Sequence, residues 1–330
     1  MPAVNLSTLT TTLQENERVF SQIFRARLAK LDDLRSDFIV MNLEADKKTK
    51  LVRSFLGNIT QPGLTGNTNF TNGAIRFIDK DATNKRIKID LRFTEQEREA
   101  LRTSFLSKFF GTSDSDLYTV TGADYIFSEL MAKAEQEMYS CLYGGVYNGG
   151  TGTVGGANLF DGLGTLFNAA YASQEIPGVN KAIGAAAAIT PANFVAELTK
   201  FEDVIITNQE LLTAADVEGG TVYLPRAWKI AIQRGLDNLT FKTANVVELN
   251  PDKTLSFTKF PNIVVKTPFW MNSVNNMFYT APGNLFFLTH TLQMNNVQVE
   301  FQKQDRDLKF FADWYGGVNF ADGRYIGLYR

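Results

Sequence analysis

Between Arg86 and Phe93 charged and apolar residues alternate without a break, as Arg86-Ile87-Lys88-Ile89-Asp90-Leu91-Arg92-Phe93. A period of two puts Ile87, Ile89, Leu91 and Phe93 on one face of a strand and the charges on the other. The run Ala74-Ile75-Arg76-Phe77-Ile78-Asp79 is expected to pair with it across Lys80–Lys85 and so form a hairpin arm. The approach, Asn58 to Gly73, is rich in Gly, Asn and Thr and offers nothing to pack. Two strands alone are marginal in water, so the arm predicts another surface that orders it, in the same chain or in a neighbour.

Elsewhere the period changes to that of a helix. Thr12 to Glu15 has capping-box spacing, followed by Phe20, Ile23, Phe24, Leu28, Leu31 and Leu34 or Phe38 every three or four positions. A second helix is expected from Thr94, burying Leu101, Phe105 and Phe109 and stopping at Gly111. The third is longer, over residues 122–143, with Ile126, Phe127, Leu130, Met131, Ala134, Met138, Cys141 and Leu142 as its apolar stripe and Gly144-Gly145 as its end. Thr190-Pro191 predicts a helix start with Phe194, Leu198, Phe201 and Ile205 buried. Gly219-Gly220 leads to the strand Thr221–Pro225 and a helix around Trp228, Ile232 and Leu236. From Asn245 onward the pattern is short strands, at residues 245–249, 255–257, 263–266, 277–280, 285–289, 297–303, 309–314 and 325–328. Helices come early and strands late, which predicts the α+β class.

Composition narrows the functions available. With 330 residues, 44% of them hydrophobic, the chain is long enough for two cores. Its 33 Lys and Arg against 35 Asp and Glu give a net charge of −2, without the basic excess that holds phosphate tightly. No signal peptide or membrane-length apolar run is read in it, so a soluble protein made in a cytoplasm is expected. One cysteine, Cys141, and one histidine, His290, leave no zinc set and no ordinary nucleophile and base pairing. Cys141 on its apolar stripe reads as a buried, inert thiol.

Gly150, Gly152 and Gly155 formally satisfy a dinucleotide fingerprint, but a helix precedes them where a strand is required, so they read as a connector. An enzyme would have to rely on carboxylates such as Glu202, Asp203, Asp216 and Glu218, which read as solvated surface. No catalytic, cofactor or metal site is assigned.

Three strings then carry a resemblance. They are Leu142-Tyr143-Gly144-Gly145-Val146-Tyr147-Asn148-Gly149-Gly150-Thr151-Gly152 with Phe160-Asp161-Gly162-Leu163; Thr221-Val222-Tyr223-Leu224-Pro225-Arg226-Ala227-Trp228; and Asp305 to Val318 with the Ile326-Gly327-Leu328 end. With the order of elements, they resemble the major capsid proteins of tailed double-stranded DNA bacteriophages, the Hong Kong 97-type fold. The resemblance implies an N-terminal helical arm at 1–50 and an extended hairpin arm at 51–93. It implies a peripheral domain from 94–174 and 296–330 with a spine helix at 122–143, and an axial domain at 175–295.

The function so implied is a shell protein, not an enzyme, that self-assembles as hexamers and pentamers into an icosahedral head enclosing double-stranded DNA. Its implied place is the virion, assembled in the cytoplasm of a bacterial host. Its implied partners are itself, a portal protein, scaffolding or decoration proteins, and packaged DNA touched weakly and without sequence specificity; no membrane is involved. Arg76, Phe77, Arg86, Lys88, Asp90 and Arg92 are the expected intersubunit contacts, their charges setting register more than affinity. Lys80 and Lys85 are read as solvated or salt-bridging. The alternative is an encapsulin-like bacterial compartment of the same fold, loaded with an enzyme.

Overall fold

The computed structural model describes residues 32–43, 48–56, 75–94, 96, 120–149, 156–182, 188–239, 246–250, 252, 254–271, 275–290, 299–304 and 307–329. Two compact units account for them. One holds the described parts of Met1–Asp46, Asn84–Gly162 and Phe287–Val318; the other holds those of Lys47–Thr83, Leu163–Phe286 and Asn319–Arg330. The helix expected from Thr94 to Gly111 and most of the N-terminal one lie outside the described residues. Of the latter, the turn Asp32–Arg35 is helical, with Leu34 and Phe38 buried.

A sheet that belongs to the first unit except at Leu285–Phe286 and Asn319–Phe320 runs in the order β1 (Ile39–Leu43), β10 (Leu285–His290), β12 (Asp307–Phe320), β11 (Val299–Gln304), and β4 (Lys85–Phe93) also pairs with β12. Its helix α1 covers Val120–Gly144, bracketing the expected 122–143, and at 1.5 Å per residue is about 37 Å long. Ala134, Met138, Cys141 and Leu142 recur at helical spacing on its buried side.

The second unit is built on a six-stranded sheet in the order β13 (Ile326–Tyr329), β9 (Met277–Thr280), β5 (Gly220–Tyr223), β8 (Ile263–Lys266), β7 (Leu255–Phe257), β6 (Val247–Leu249). Strands β5 and β8 are parallel and the other pairs antiparallel. Helices α3 (Phe194–Thr207) and α5 (Arg226–Asp237) bury Phe201, Ile205, Trp228 and Ile232 with Val222 and Tyr279 of the sheet. On another side Tyr223 stacks on Phe278 with ring centroids 5.0 Å apart, and Phe278 meets Phe167 of α2 (Leu163–Ala172) edge-on at 5.1 Å. A short α4 (Gln209–Thr213) runs on into a π turn, Ala214–Glu218.

The strands after Asn245 fall where the alternation puts them, and the α+β class stands. Helix α2 is an element the sequence reading passed over, although Leu163, Phe167 and Ala170 are spaced for it and buried. Helix α3 begins at Phe194 rather than Pro191, because Asn193 folds the entry into a turn. Its Oδ1 accepts from the Thr190 N–H at 2.7 Å, and its Nδ2 donates to the Ala188 carbonyl at 3.2 Å.

The expected hairpin is the main correction. Strand β3 (Ile75–Ala82) does not pair with β4; it pairs with β2 (Thr49–Leu56), from Thr49 opposite Ala82 to Leu56 opposite Ile75. Strand β4 pairs antiparallel with β12 over nine residues, Lys85 opposite Gly316 to Phe93 opposite Leu308. Neither Thr83 nor Asn84 has the positive φ of a tight two-residue hairpin turn, and between them the chain passes from one sheet into another.

Candidate assembly surface

Because β4 lies against β12, its two faces meet different surroundings. Ile87 is buried opposite buried Trp314, and Ile89 is half-buried opposite Ala312, whereas Leu91 is 36% exposed. The apolar strip expected to await a neighbour is therefore covered at the Ile87 end by its own unit and opens towards Leu91. The other face carries Arg86, Lys88, Asp90 and Arg92, all exposed, opposite Tyr315, Asp313, Phe311 and Lys309 in register.

Arg86 Nη2 donates to Asp313 Oδ2 at 2.8 Å, a diagonal cross-strand pair, and Lys88 Nζ donates to Asp90 on the same strand. Asp313 is a member of this surface that sequence reasoning missed; its signal was the alternation of Asp313 with Trp314 and Ala312. Exposed ion pairs of this kind contribute roughly 0 to 1 kcal/mol, so they can exchange partners at little cost.

Arg76 and Phe77 are not on this surface. They lie in β3 opposite Phe55 and Ser54, in the two-stranded sheet, so the six expected contact residues are divided between two sheets. At the root of that hairpin two exposed pairs bridge the strands: Lys48 Nζ lies 3.4 Å from Asp81 Oδ2, and Lys50 binds Asp79. Their mutual hydrogen bond raises the Lys50 pKa and lowers that of Asp79. Neither lysine of the expected tip is simply solvated. Lys80 binds Glu175, and Lys85 lies 4.6 Å from the centre of the Tyr147 ring.

The end of α1 is stapled to the Phe160-Asp161-Gly162 string. Val146 N–H donates to the Ala157 carbonyl at 2.8 Å, Gly162 N–H to the Gly145 carbonyl at 2.9 Å, and Tyr147 N–H to Asp161 Oδ1 at 2.9 Å. Gly145 and Gly162 are required by closeness. A Cβ on Gly145 would stand 2.4 Å from the Phe160 oxygen, and one on Gly162 would stand 2.4 Å from the Cys141 oxygen. Cys141 donates its S–H to the Phe160 carbonyl at 3.1 Å, and burial pushes its thiol pKa up, away from the reactive thiolate.

The four carboxylates considered for an enzyme do not share one environment. Asp203, Asp216 and Glu218 are exposed, but Glu202 is fully buried and accepts from Lys259 Nζ at 2.7 Å. Among the described residues no group of three or more His, Cys, Asp or Glu side chains is placed to hold a metal ion. No described helix is long and apolar enough to cross a membrane.

No sequence-family model and no curated protein matches the chain. Its fold does match solved structures. The satellite phage P4 procapsid structure, which includes the size determination (Sid) protein, aligns over 89% of this chain and 93% of the matched one, with 11% identity and a TM-score of 0.52. The capsid of Myoviridae phage XM1 aligns over 90% of both chains at 11% identity and a TM-score of 0.49. The holo-SrpI encapsulin complex of Synechococcus elongatus PCC 7942 aligns over 90% of this chain and 85% of that one, at 8% identity and a TM-score of 0.47. The chain has the Hong Kong 97-type capsid fold.

Proposed function

We propose that this chain, built on that capsid fold, is the major structural protein of a phage head, assembling as hexamers and pentamers into an icosahedral shell around double-stranded DNA. The observation that carries the reading is the alignment with the P4 procapsid chain across nearly the full length of both chains. The mechanism is contact area rather than chemistry. Subunit edges bury apolar surface at roughly 25 cal/mol per Å², and many modest contacts on a closed lattice add up to a stable particle.

The exposed ladder of Arg86, Lys88, Asp90 and Arg92 supports a role in that lattice, since weak surface pairs can be traded for pairs with a neighbour and so set register. Arg76 and Phe77 would act separately, through the β2–β3 hairpin. A net charge of −2 suits a lining that touches packaged DNA weakly. Portal, scaffolding and decoration proteins complete the proposed partners, and the virion is the proposed location.

The test is light scattering and negative-stain microscopy of the purified chain, alone and with Arg86, Lys88 and Arg92 changed to Glu. Shells, rings or tubes from the parent that the triple variant cannot form support the reading. A parent that stays monomeric across salt and concentration overturns it. Particles from the native source that protect an enzyme instead of nuclease-resistant DNA would replace the phage head with an encapsulin-like compartment.

A further inference from the structure

We propose that Lys80 is a positioning residue that fixes the root of the β2–β3 hairpin through a clasp with Glu175 and Phe320; the proposal rests on the hairpin serving as an assembly arm. Alternation puts Lys80 on the same side of β3 as Ala82, and Ala82 is completely buried. Leu51, directly opposite Lys80 in register, is buried as well. A lysine on the inward face of a strand requires a partner for its charge.

The structure supplies two partners. Lys80 Nζ donates to Glu175 Oε1 at 3.0 Å and to Oε2 at 3.2 Å, and it stands 3.0 Å from the centre of the Phe320 ring. The two side chains of the ion pair keep only 19% and 23% of their exposure, against 63% and 48% for Lys50 and Asp79 on the outward face. Charge-assisted bonds shielded in this way are stronger and less open to salt than the exposed pairs.

Glu175 is itself held from behind. Helix α2 stops with Gln174 at a φ of +60°, and the Ile176 N–H returns to the Ala170 carbonyl at 3.1 Å, which turns Glu175 out of the helix. Gly323 packs so tightly against the Glu175 carbonyl that a Cβ there would come within 2.6 Å of it. A second tie runs beside the clasp, where buried Asn319 donates Nδ2 to the Asp81 carbonyl at 3.2 Å. The clasp therefore joins the root of the hairpin to a stiff corner made by the end of α2 and the start of the C-terminal segment. Above that root, the pairing continues for rungs Val52 to Leu56 opposite Asp79 to Ile75. A small rotation at the root becomes a large displacement along an extended hairpin, so holding Lys80 sets where the arm points.

The experiment compares the full chain with Lys80→Met, which keeps most of the apolar stem, with Glu175→Gln, and with the exchanged pair Lys80→Glu/Glu175→Lys. Amide hydrogen exchange is followed in β2 and β3, and particles are imaged. Each single variant is expected to speed exchange in β2 and β3 about tenfold, the equilibrium shift carried by losing hydrogen bonds to a charged group, while exchange in β5 and β9 is unchanged. Particles should become heterogeneous in curvature, and the exchanged pair should recover part of both effects. Unchanged exchange in β2 and β3 overturns the clasp, as does loosening spread equally over the whole unit. A parent that forms no particles defeats the assembly reading alone, because the exchange measurement still decides whether Lys80 holds the hairpin.

Discussion

Two neighbouring glycines should respond to the same substitution with opposite signs. Gly144, the last residue of α1, has nothing within 4 Å of the position a Cβ would occupy. Gly144→Ala should therefore stabilise the protein by about 0.5 to 1 kcal/mol, by restricting the unfolded chain and improving helix propensity. At Gly145 the added carbon would stand 2.3 Å from Cys141 Sγ, 2.4 Å from the Phe160 oxygen and 2.6 Å from the Cys141 oxygen. Two of those three atoms are backbone, so rotating a side chain cannot relieve the clash. Overpacking costs about 2 kcal/mol, and the displaced Phe160 string also gives up the Gly162 N–H bond to Gly145, worth about 1 kcal/mol. Gly145→Ala should thus lose about 3 kcal/mol, a gap of nearly 4 kcal/mol between adjacent positions. Urea titration followed by Trp fluorescence reads this as a shift in midpoint at constant slope. Adding Cys141→Ala to Gly145→Ala should recover only a minor part, because both carbonyl contacts remain. Equal midpoints for the two single variants would refute the idea that the helix exit is held by backbone closeness.

Two further outcomes follow from single residues. Gln174 takes a left-handed conformation at the end of α2, so Gln174→Gly should raise stability by about 1 kcal/mol, visible as a higher Tm; a lower Tm would mean that the side chain contributes more than the conformation costs. Burial raises the Glu202 pKa although Lys259 pulls it down, so the folded state holds that proton more tightly than the unfolded chain. The stability so contributed is full below the ordinary glutamate pKa and is lost as pH rises through the folded value. The stability of the parent relative to Glu202→Gln should accordingly fall as pH rises above the ordinary glutamate range; a difference that grows with pH would show that the Lys259 pair outweighs burial.

Much of the architecture was legible because it depends on short-range periodicity. Met138, Cys141 and Leu142 define a helix face through backbone geometry alone, and the alternation at Ile87 and Ile89 defines a strand whatever it pairs with. Gly145 was legible as part of the helix end, whereas Gly162 entered only as part of a string that carried the resemblance; its close approach to the Cys141 carbonyl is set by tertiary packing. The resemblance drawn from those strings anticipated a capsid fold that the structural alignment also finds. What alternation cannot name is a partner. Strand β4 pairs with β12, more than 200 residues away in the chain, and not with its neighbour β3.

The same distinction governs the charges. Sequence fixes which residues carry them and which face of a strand they share, but the cost of a charge depends on the dielectric and the partners that tertiary packing supplies. Glu202 and Asp203 are adjacent in sequence, yet one is buried on Lys259 and the other exposed. Lys80 and Asp79 are adjacent too, and point to opposite faces of one strand. Local pattern determined the long helix ending at Gly144, the short strands after Asn245 and a charged, alternating strand at 86–93. Only the folded structure decided which edge met which, because pairing and burial are set by contacts between residues far apart in the chain.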